Sequence, residues 1–194
     1  TCNGLIECNI ENCLSAVSGL YALQVPINTI ITGLKSFNHN MGRFNIFEKD
    51  EYKIILDYGH NPAGYNEVIK TCKKLGGNRL ITVMGMPGDR PDCSMQEVGK
   101  LCASNFNKIY IKEDIDLRGR EKGETAGIIC NSIKETGYPD ENVKIIENEV
   151  DALKAAVSDA KKGDLIIVLY EKIEPLLQFL DTIKAEKIDS KNYK

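Results

Sequence analysis

The chain has 194 residues, of which 42% are hydrophobic and 27% are charged, and its formal net charge is −3. This content is enough for a globular protein with a sizeable core, and the absence of a basic block argues against nucleic acid as a partner. No apolar run approaches the roughly 18 residues that a membrane span needs, so we expect no membrane association.

The seven cysteines are odd in number and include no C-x-x-C pair. This usage is typical of reduced thiols that act as small hydrophobic residues in a cytoplasmic protein. Close-set Cys and His ligands are absent, which argues against a zinc site. Because the sequence begins at Thr1 without an initiator Met, we expect a piece of a longer protein.

The first part of the chain has helical periodicity. Apolar residues at helical spacing predict one helix over residues 10–23 and a second after Pro26 that runs through Leu34. Residues 35–42 lose this periodicity, which predicts a linker containing an exposed His39. We therefore expect a boundary near residue 40, with one part at 1–40 and another at 41–194.

Beyond the linker, short β-branched runs alternate with helical patterns. Strands are predicted at 44–48, 52–57, 79–84, 108–111, 143–146 and 165–169, and helices at 62–75, 94–104, 123–136, 150–161 and 173–186. This alternation predicts a Rossmann-like α/β fold, in which a mostly parallel sheet lies between helices and the first two strands form a hairpin.

Polar residues follow four of the predicted strands. They lie in the segments 57–61, 85–90, 112–120 and 170–172, whereas the opposite edge carries ordinary turn residues such as Gly76, Gly77 and Asn78. Ligands of parallel sheets bind at the carboxyl ends of the strands. The asymmetry therefore predicts a binding site at that edge.

Each stretch also has a purely structural explanation. Asp57 and Asn61 are suited to cap a helix that starts at Pro62. Residues 85–89 have the composition of a tight turn, and the charged residues of 113–120 have that of a solvated surface. The residues alone leave these alternatives open.

Five motifs together resemble the C-terminal domain of the Mur ligase superfamily over essentially the whole chain. They are G-R-F-N-I-F at 42–47, D-Y-G-H-N-P-A-G at 57–64, G-D-R at 88–90, K-E-D-I-D-L-R-G-R-E-K-G-E at 112–124 and G-D-L-I-I-V-L-Y-E-K at 163–172. The D-Y-x-H-N-P motif also resembles folylpolyglutamate synthases and marks only the superfamily. The D-L-R-G-R-x-x-G-E pattern resembles the cyanophycin synthetases more narrowly.

The resemblance implies an ATP-dependent ligase that forms an amide through an acyl phosphate, a reaction that depends on positioning and charge stabilisation. For a cyanophycin synthetase the implied substrates are ATP, arginine and an aspartate-containing polymer, and the implied partners are an upstream Mur central domain and an ATP-grasp module. The G-K-[ST] phosphate loop and the Mg²⁺ ligands belong upstream, so we expect no metal ligands here and no activity of this chain alone. Another Mur-type ligase, a folylpolyglutamate synthase and a nucleotide-binding module without ligase activity are the alternatives, and a homo-oligomer is left open.

The resemblance also implies roles for individual residues. Asn12, Arg43 and Asp57 are implied to bind the nucleotide, and His60 and Asn61 to lie near its phosphates as catalytic residues. The residues implied to bind the incoming amino acid are Glu113, Asp114, Asp116, Arg118 and Glu171, with Asp89 and Arg90 in a further substrate loop. Carboxylates suit arginine because they accept the fork of guanidinium donors. Related Mur ligases carry a D-N-P-R type loop where this chain has residues 113–116, so the chain departs from the family pattern there.

Overall fold

Two helices, α1 (Glu7–Ala22) and α2 (Ile27–Ser36), form the first of two compact units. The computed structural model describes residues 6–37 and 42–188, and His39 lies outside them. Both helices agree with the sequence-based prediction. Several of their apolar side chains are well exposed, among them Leu14, Leu23 and Phe37. The assignment of this unit to the end of a larger domain stays a prediction.

The second unit, Gly42–Ile188, is built on one seven-stranded sheet within the described residues. Its strands are β1 (Asn45–Lys49), β2 (Tyr52–Asp57), β3 (Leu80–Met84), β4 (Lys108–Ile111), β5 (Val143–Ile145), β6 (Leu165–Leu169) and β7 (Glu186–Ile188). The strand order is β5-β4-β3-β6-β2-β1-β7. Strands β2 to β6 run parallel, and β1 pairs antiparallel with both β2 and β7.

Helices cover the sheet. They are α3 (Pro62–Leu75), α4 (Asp92–Ala103), α5 (Glu124–Lys134), α6 (Glu149–Ser158) and α7 (Ile173–Thr182). Helix α4 packs against α3 and α5, and α6 packs against α7 and over β3, β4 and β6. Every residue of β6 is buried, as expected for a central parallel strand with both faces covered. The structure thus confirms the mostly parallel α/β fold.

The position of β6 determines which loops meet. Although it is the sixth strand in the chain, β6 lies between β2 and β3 and is parallel to both. The loops that follow β2, β3, β4 and β6 therefore leave the same edge of the sheet from neighbouring strands. This places the four polar segments of the sequence on one edge, as predicted.

The end of the chain differs from the prediction of a helix over 173–186. Helix α7 ends at Thr182, and Lys184 adopts a left-handed φ of 56°. The N–H of Ala185 then donates to the carbonyl oxygen of Leu180, which closes the turn before β7. A three-residue edge strand is too short to show alternation, so β7 gave no signal in the sequence.

Candidate functional site

Asp57, the last residue of β2, contacts the start of the second unit. Its Oδ2 accepts a hydrogen bond from the backbone N–H of Phe44 at 2.9 Å. Burial raises the pKa of Asp57 to about 6, against the opposing effects of the Phe44 N–H and the charges of Arg43 and His60. Asp57 therefore does not cap α3. It lies next to Arg43, which is predicted to bind the nucleotide together with it.

A group of aromatic rings lies beside Asp57. The guanidinium carbon of Arg43 is 5.2 Å from the ring centroid of Tyr58, a cation–π distance. Tyr58 also contacts His60 and Tyr170, with ring centroids 5.2 Å and 5.5 Å away. The Tyr170 hydroxyl donates to the carbonyl oxygen of Gly42 at 2.8 Å. This group joins the loops after β2 and β6 to the residues that precede β1.

Asn61 has the structural role that its position before Pro62 indicates. Its side-chain oxygen accepts from the N–H of Gly64 at 2.8 Å and caps α3. The helix therefore begins at the carboxyl edge of the sheet, where its free N–H groups favour an anion. His60 directly precedes this cap, and its Nδ1 lies 3.1 Å from the carbonyl oxygen of Tyr58.

The loops after β3 and β4 are docked on each other by two arginines. Arg120 donates to the carbonyl oxygens of Gly88 and Arg90 at 2.9 Å and 3.0 Å. Arg118 forms an ion pair with Asp89 at 2.9 Å. A Cβ added at Gly88 would lie only 2.1 Å from the carbonyl oxygen of Leu117, so the close approach requires glycine. The segment 85–90 is thus more than a local turn.

The acidic residues after β4 fall into two environments. Glu113 is buried, and its two oxygens accept from the N–H of Gly123 and the hydroxyl of Thr125, both at 2.7 Å. Asp114 is also buried, so the solvated-surface explanation is wrong for these two residues. Asp116 has a side chain that is 73% exposed and fits that explanation.

A buried ion cluster lies at the end of β4. The Lys112 ammonium is 2.5 Å from Oδ1 of Asp114 and 3.0 Å from Oε2 of Glu149, and its side chain is 2% exposed. Burial lowers the pKa of Lys112, but the two carboxylates outweigh it and the pKa lies above the usual lysine value. Sequence reasoning missed Lys112 and Glu149. A lysine directly after the apolar run 109–111 was the available signal.

Glu171 connects the loop after β6 to the loop after β4. Its Oε2 accepts from the backbone N–H of Ile115 at 2.7 Å. Its own backbone N–H donates to Oε2 of Glu149 at 2.6 Å. Glu171 is thus held through both its side chain and its backbone.

These segments enclose a cleft at the carboxyl edge of the sheet. Its lining residues are Tyr58, Gly59, His60, Gly85, Pro87, Lys112, Asp114, Arg118, Leu169, Tyr170 and Glu171. Four residues predicted from the sequence, His60, Asp114, Arg118 and Glu171, therefore meet there. Asn61 instead lines a separate groove together with residues of α3 and α4.

The remaining predicted residues lie outside the lining of this cleft. Glu113 is buried within the loop after β4, and Asp116 is exposed in the same loop. Asp89 and Arg90 lie in the loop after β3. Asn12 is exposed on α1, in the other unit.

Within residues 6–37 and 42–188, no group of three or more His, Cys, Asp or Glu residues has the arrangement of a metal site. No helix in the same ranges is long and apolar enough to cross a membrane.

The chain belongs to the Mur ligase family, since the family model described as "Mur ligase, glutamate ligase domain" matches residues 42–169. Cyanophycin synthetase from Synechocystis sp. is 34% identical over 191 residues, which cover 96% of this chain and 21% of that protein. The cyanophycin synthetase from Crocosphaera subtropica is 33% identical over 185 residues, with 93% and 21% covered. This chain thus resembles the cyanophycin synthetases and spans about a fifth of their length.

Other relatives are similar at lower identity. A UDP-N-acetylmuramoyl-L-alanyl-D-glutamate–2,6-diaminopimelate ligase from Alkaliphilus metalliredigens is 29% identical over 158 residues, which cover 81% of this chain and 31% of that protein. Among solved structures, a pseudomurein peptide ligase type C from Methanothermus fervidus matches with a TM-score of 0.67 and 21% identity, covering 90% of this chain and 36% of that one. Escherichia coli FolC in complex with ADP matches with a TM-score of 0.64 and 24% identity, covering 85% and 38%. These two structures support the fold.

Proposed function

We propose that this chain is the C-terminal region of an ATP-dependent ligase that adds arginine to aspartate side chains of a polymer, as its resemblance to the cyanophycin synthetases implies. An aspartate carboxylate attacks the γ-phosphorus of ATP and gives an acyl phosphate and ADP. The α-amino nitrogen of arginine then attacks the acyl carbon, phosphate leaves, and the nitrogen loses a proton. The observation that carries the proposal is the convergence of His60, Asp114, Arg118 and Glu171 on one cleft.

The nucleotide is assigned to the β2 side of the cleft. Asp57 uses Oδ2 for the N–H of Phe44, and we assign Oδ1 to the ribose hydroxyls. Arg43 lies against Tyr58 next to it and supplies a positive charge. His60 and the start of α3, capped by Asn61, face the phosphates in this assignment. The contact of Asn12 with the adenine, which the family resemblance implies, stays a prediction.

The incoming amino acid is assigned to the β4 and β6 side. Glu171 holds its amino group, and Arg118 pairs with its carboxylate. Both oxygens of Glu113 are used within the chain, and Asp114 is paired with Lys112. We assign the guanidinium contact to Asp116, which is the exposed acid of the three although its Oδ1 accepts from the N–H of Arg118 at 3.1 Å. Glu113 and Asp114 shape the loop that presents it. Asp89 and Arg90 flank this loop as the second substrate segment.

The described residues include no cluster of three or more candidate metal ligands. As the family resemblance implies, we assign the Mg²⁺ that accompanies ATP to the upstream Mur central domain. The same region would supply the phosphate loop, and an ATP-grasp module would extend the aspartate backbone.

A ligase with another amino acid is the second candidate, since the diaminopimelate ligase relative is also similar over most of this chain. A cleft with both acidic and basic residues suits a zwitterionic side chain as well. Folylpolyglutamate synthesis and nucleotide binding without ligation are the further alternatives.

The test is amino-acid-dependent ADP release by the complete polypeptide that carries this chain, with a poly-aspartate acceptor and product mass as the second readout. We expect arginine to support release and citrulline, diaminopimelate and glutamate to do so poorly. Release with diaminopimelate or glutamate in place of arginine would replace the proposal with the second candidate. Nucleotide binding with no product from any of them would support the non-ligase alternative.

A further inference from the structure

A closed ring of hydrogen bonds lies beneath the proposed amino-acid subsite. The Lys112 ammonium contacts Asp114 and Glu149, Glu149 accepts from the backbone N–H of Glu171, and the Glu171 carboxylate accepts from the N–H of Ile115. Ile115 directly follows Asp114, so the ring returns to its start. It joins three segments that are far apart in sequence: the loop after β4, the start of α6 and the loop after β6.

The cation of this ring is buried with its partners. Lys112 is 2% exposed at its side chain, Asp114 7% and Glu149 13%. Without the ammonium, two carboxylates would face each other with little solvent, which is strongly unfavourable. Glu149 would then move, take up a proton or admit water.

Any movement of Glu149 reaches Glu171 directly, because one oxygen serves both. Oε2 of Glu149 lies 3.0 Å from the Lys112 ammonium and accepts from the Glu171 N–H at 2.6 Å. The other oxygen accepts from the N–H of Lys172 at 3.3 Å. The backbone after β6 is therefore held by a carboxylate whose position depends on Lys112.

The location of the ammonium is set by the end of β3. A Cβ added at Gly85 would lie 2.6 Å from the carbonyl oxygen of Lys112 and 3.1 Å from its Cδ and Cε. The carbonyl oxygen of Gly85 accepts from the Tyr65 hydroxyl at 2.6 Å. The stem and the carbonyl group of Lys112 thus lie against Gly85, and Gly85→Ala would displace both while keeping the charge of the lysine.

We propose that Lys112 is a positioning residue for the amino-acid subsite, which fixes the Glu171 carboxylate through Glu149 and the start of the acidic loop through Asp114. The proposal rests on the proposed function, which assigns Glu171 to the amino group of the incoming amino acid. Lys112 acts through these partners and transfers no proton or group.

The first arm of the test is kinetic and uses the complete enzyme. Lys112→Met should raise the KM for arginine at least about tenfold and leave the KM for ATP within about twofold. Lys108→Met is the matched control, because Lys108 begins the same strand at its opposite end and pairs with Asp159 at 2.8 Å. That variant should be less stable but keep the KM for arginine. Equal KM values for the two variants would overturn the proposal.

Two further variants separate positioning from loss of fold. Gly85→Ala should raise the KM for arginine in the same direction as Lys112→Met. Adding Glu149→Gln to Lys112→Met should recover part of the loss, because one buried carboxylate is then left without the ammonium instead of two. A Gly85→Ala enzyme with an unchanged KM for arginine would count against Lys112 as the cause.

The second arm measures amide hydrogen exchange in the 194-residue chain itself and needs no activity. The N–H groups of Ile115 and Glu171 should exchange at least about tenfold faster in Lys112→Met and at an unchanged rate in Lys108→Met. Unchanged exchange in Lys112→Met would overturn the proposal. If the unmodified complete enzyme forms no amide, the proposed function fails, while this arm still decides whether Lys112 holds the ring.

Discussion

The Asp57 carboxylate accepts a hydrogen bond from the backbone N–H of Phe44 at 2.9 Å, at the open end of the β1–β2 hairpin. Phe44 adopts a φ of 50°, which is uncommon for a residue with a side chain. Asp57 therefore fixes a strained segment that directly follows Arg43. Arg43 and Asp57, two of the residues assigned to the nucleotide, are linked through this hydrogen bond.

Asp57→Asn should change how stability depends on pH. Burial raises the pKa of Asp57 from 3.8 to about 6, so the folded chain binds this proton more tightly than the unfolded chain. The contribution of Asp57 to the stability of the fold is then most favourable below about pH 4, and it is lost as the pH rises to about 6. That shift corresponds to roughly 3 kcal/mol. Urea unfolding from about pH 4 to 7 should show the variant gaining stability relative to the unmodified chain by an amount of this order.

Asp50→Asn is the control for this experiment. Asp50 lies in the β1–β2 turn with a 68% exposed side chain, and its φ of 52° is tolerated by asparagine as well. The stability of the Asp50→Asn variant should depend on pH in the same way as that of the unmodified chain. If that of Asp57→Asn does so too, burial does not penalise the Asp57 charge.

Arg43→Ala should weaken the use of ATP by the complete enzyme. The side chain contacts Tyr58 in the group that adjoins Asp57, so its loss removes a cation from the proposed nucleotide side. We expect the KM for ATP to rise about tenfold, with the KM for arginine little changed. Arg79→Ala is the comparison, because Arg79 pairs with Asp164 at the opposite edge of the sheet. It should reduce stability and keep the ATP dependence, and equal ATP dependence in both variants would remove Arg43 from the nucleotide site.

The strand-end pattern was enough to place most of the candidate site. The apolar runs that become β2, β3, β4 and β6 each end in polar residues, and parallel strands bring such ends to one edge. The sequence could not show contacts that depend on the order of the strands. The bond from Tyr170 to Gly42 spans 128 positions and exists because β6 lies beside β2.

The charged segment after β4 was the hardest part to interpret. From sequence, Glu113, Asp114 and Asp116 form one acidic run, and such runs are usually solvated. In the structure they separate because Glu113 turns inward to the start of α5 and Asp114 turns to Lys112. No periodicity marks these partners, since Thr125 and Glu149 lie on helices whose starts are common places for such residues.

Glu113→Gln should therefore act on stability. The carboxylate accepts from the N–H of Gly123 and the hydroxyl of Thr125, and a buried amide cannot accept at both positions. We expect the free energy of unfolding to fall by about 1–3 kcal/mol. Thr125→Val completes a double-mutant cycle, and the two losses should be clearly less than additive. Fully additive losses would mean that the two side chains do not interact.

The 194-residue chain alone should not turn over ATP. Its sequence has no G-K-[ST] phosphate loop, and the described residues include no cluster of metal ligands. Phosphate release by the purified chain should equal that of a heat-denatured sample. Release above that level, and sensitive to Asp57→Asn, would show that the chain carries the catalytic machinery by itself.

The identity of the amino acid is tested by charge reversal at Asp116. Its side chain is 73% exposed, beside the pair of Arg118 and Asp89, so Asp116→Lys should leave the fold intact. If Asp116 contacts a guanidinium, the KM for arginine should rise at least about tenfold, equivalent to ~1.4 kcal/mol, while the ATP dependence stays near its original value.

Glu121→Lys is the matched control for this reversal, because Glu121 is an exposed acid of the same segment to which no substrate contact is assigned. Both variants change the net charge equally, so a general electrostatic effect on arginine would alter both KM values. A contact at Asp116 would alter only one. Citrulline keeps the shape of arginine without its charge, and it should be a poor substrate for the unmodified enzyme and for Glu121→Lys alike. If citrulline is as good a substrate as arginine, the acidic segment does not recognise a cation, and the assignment of arginine fails.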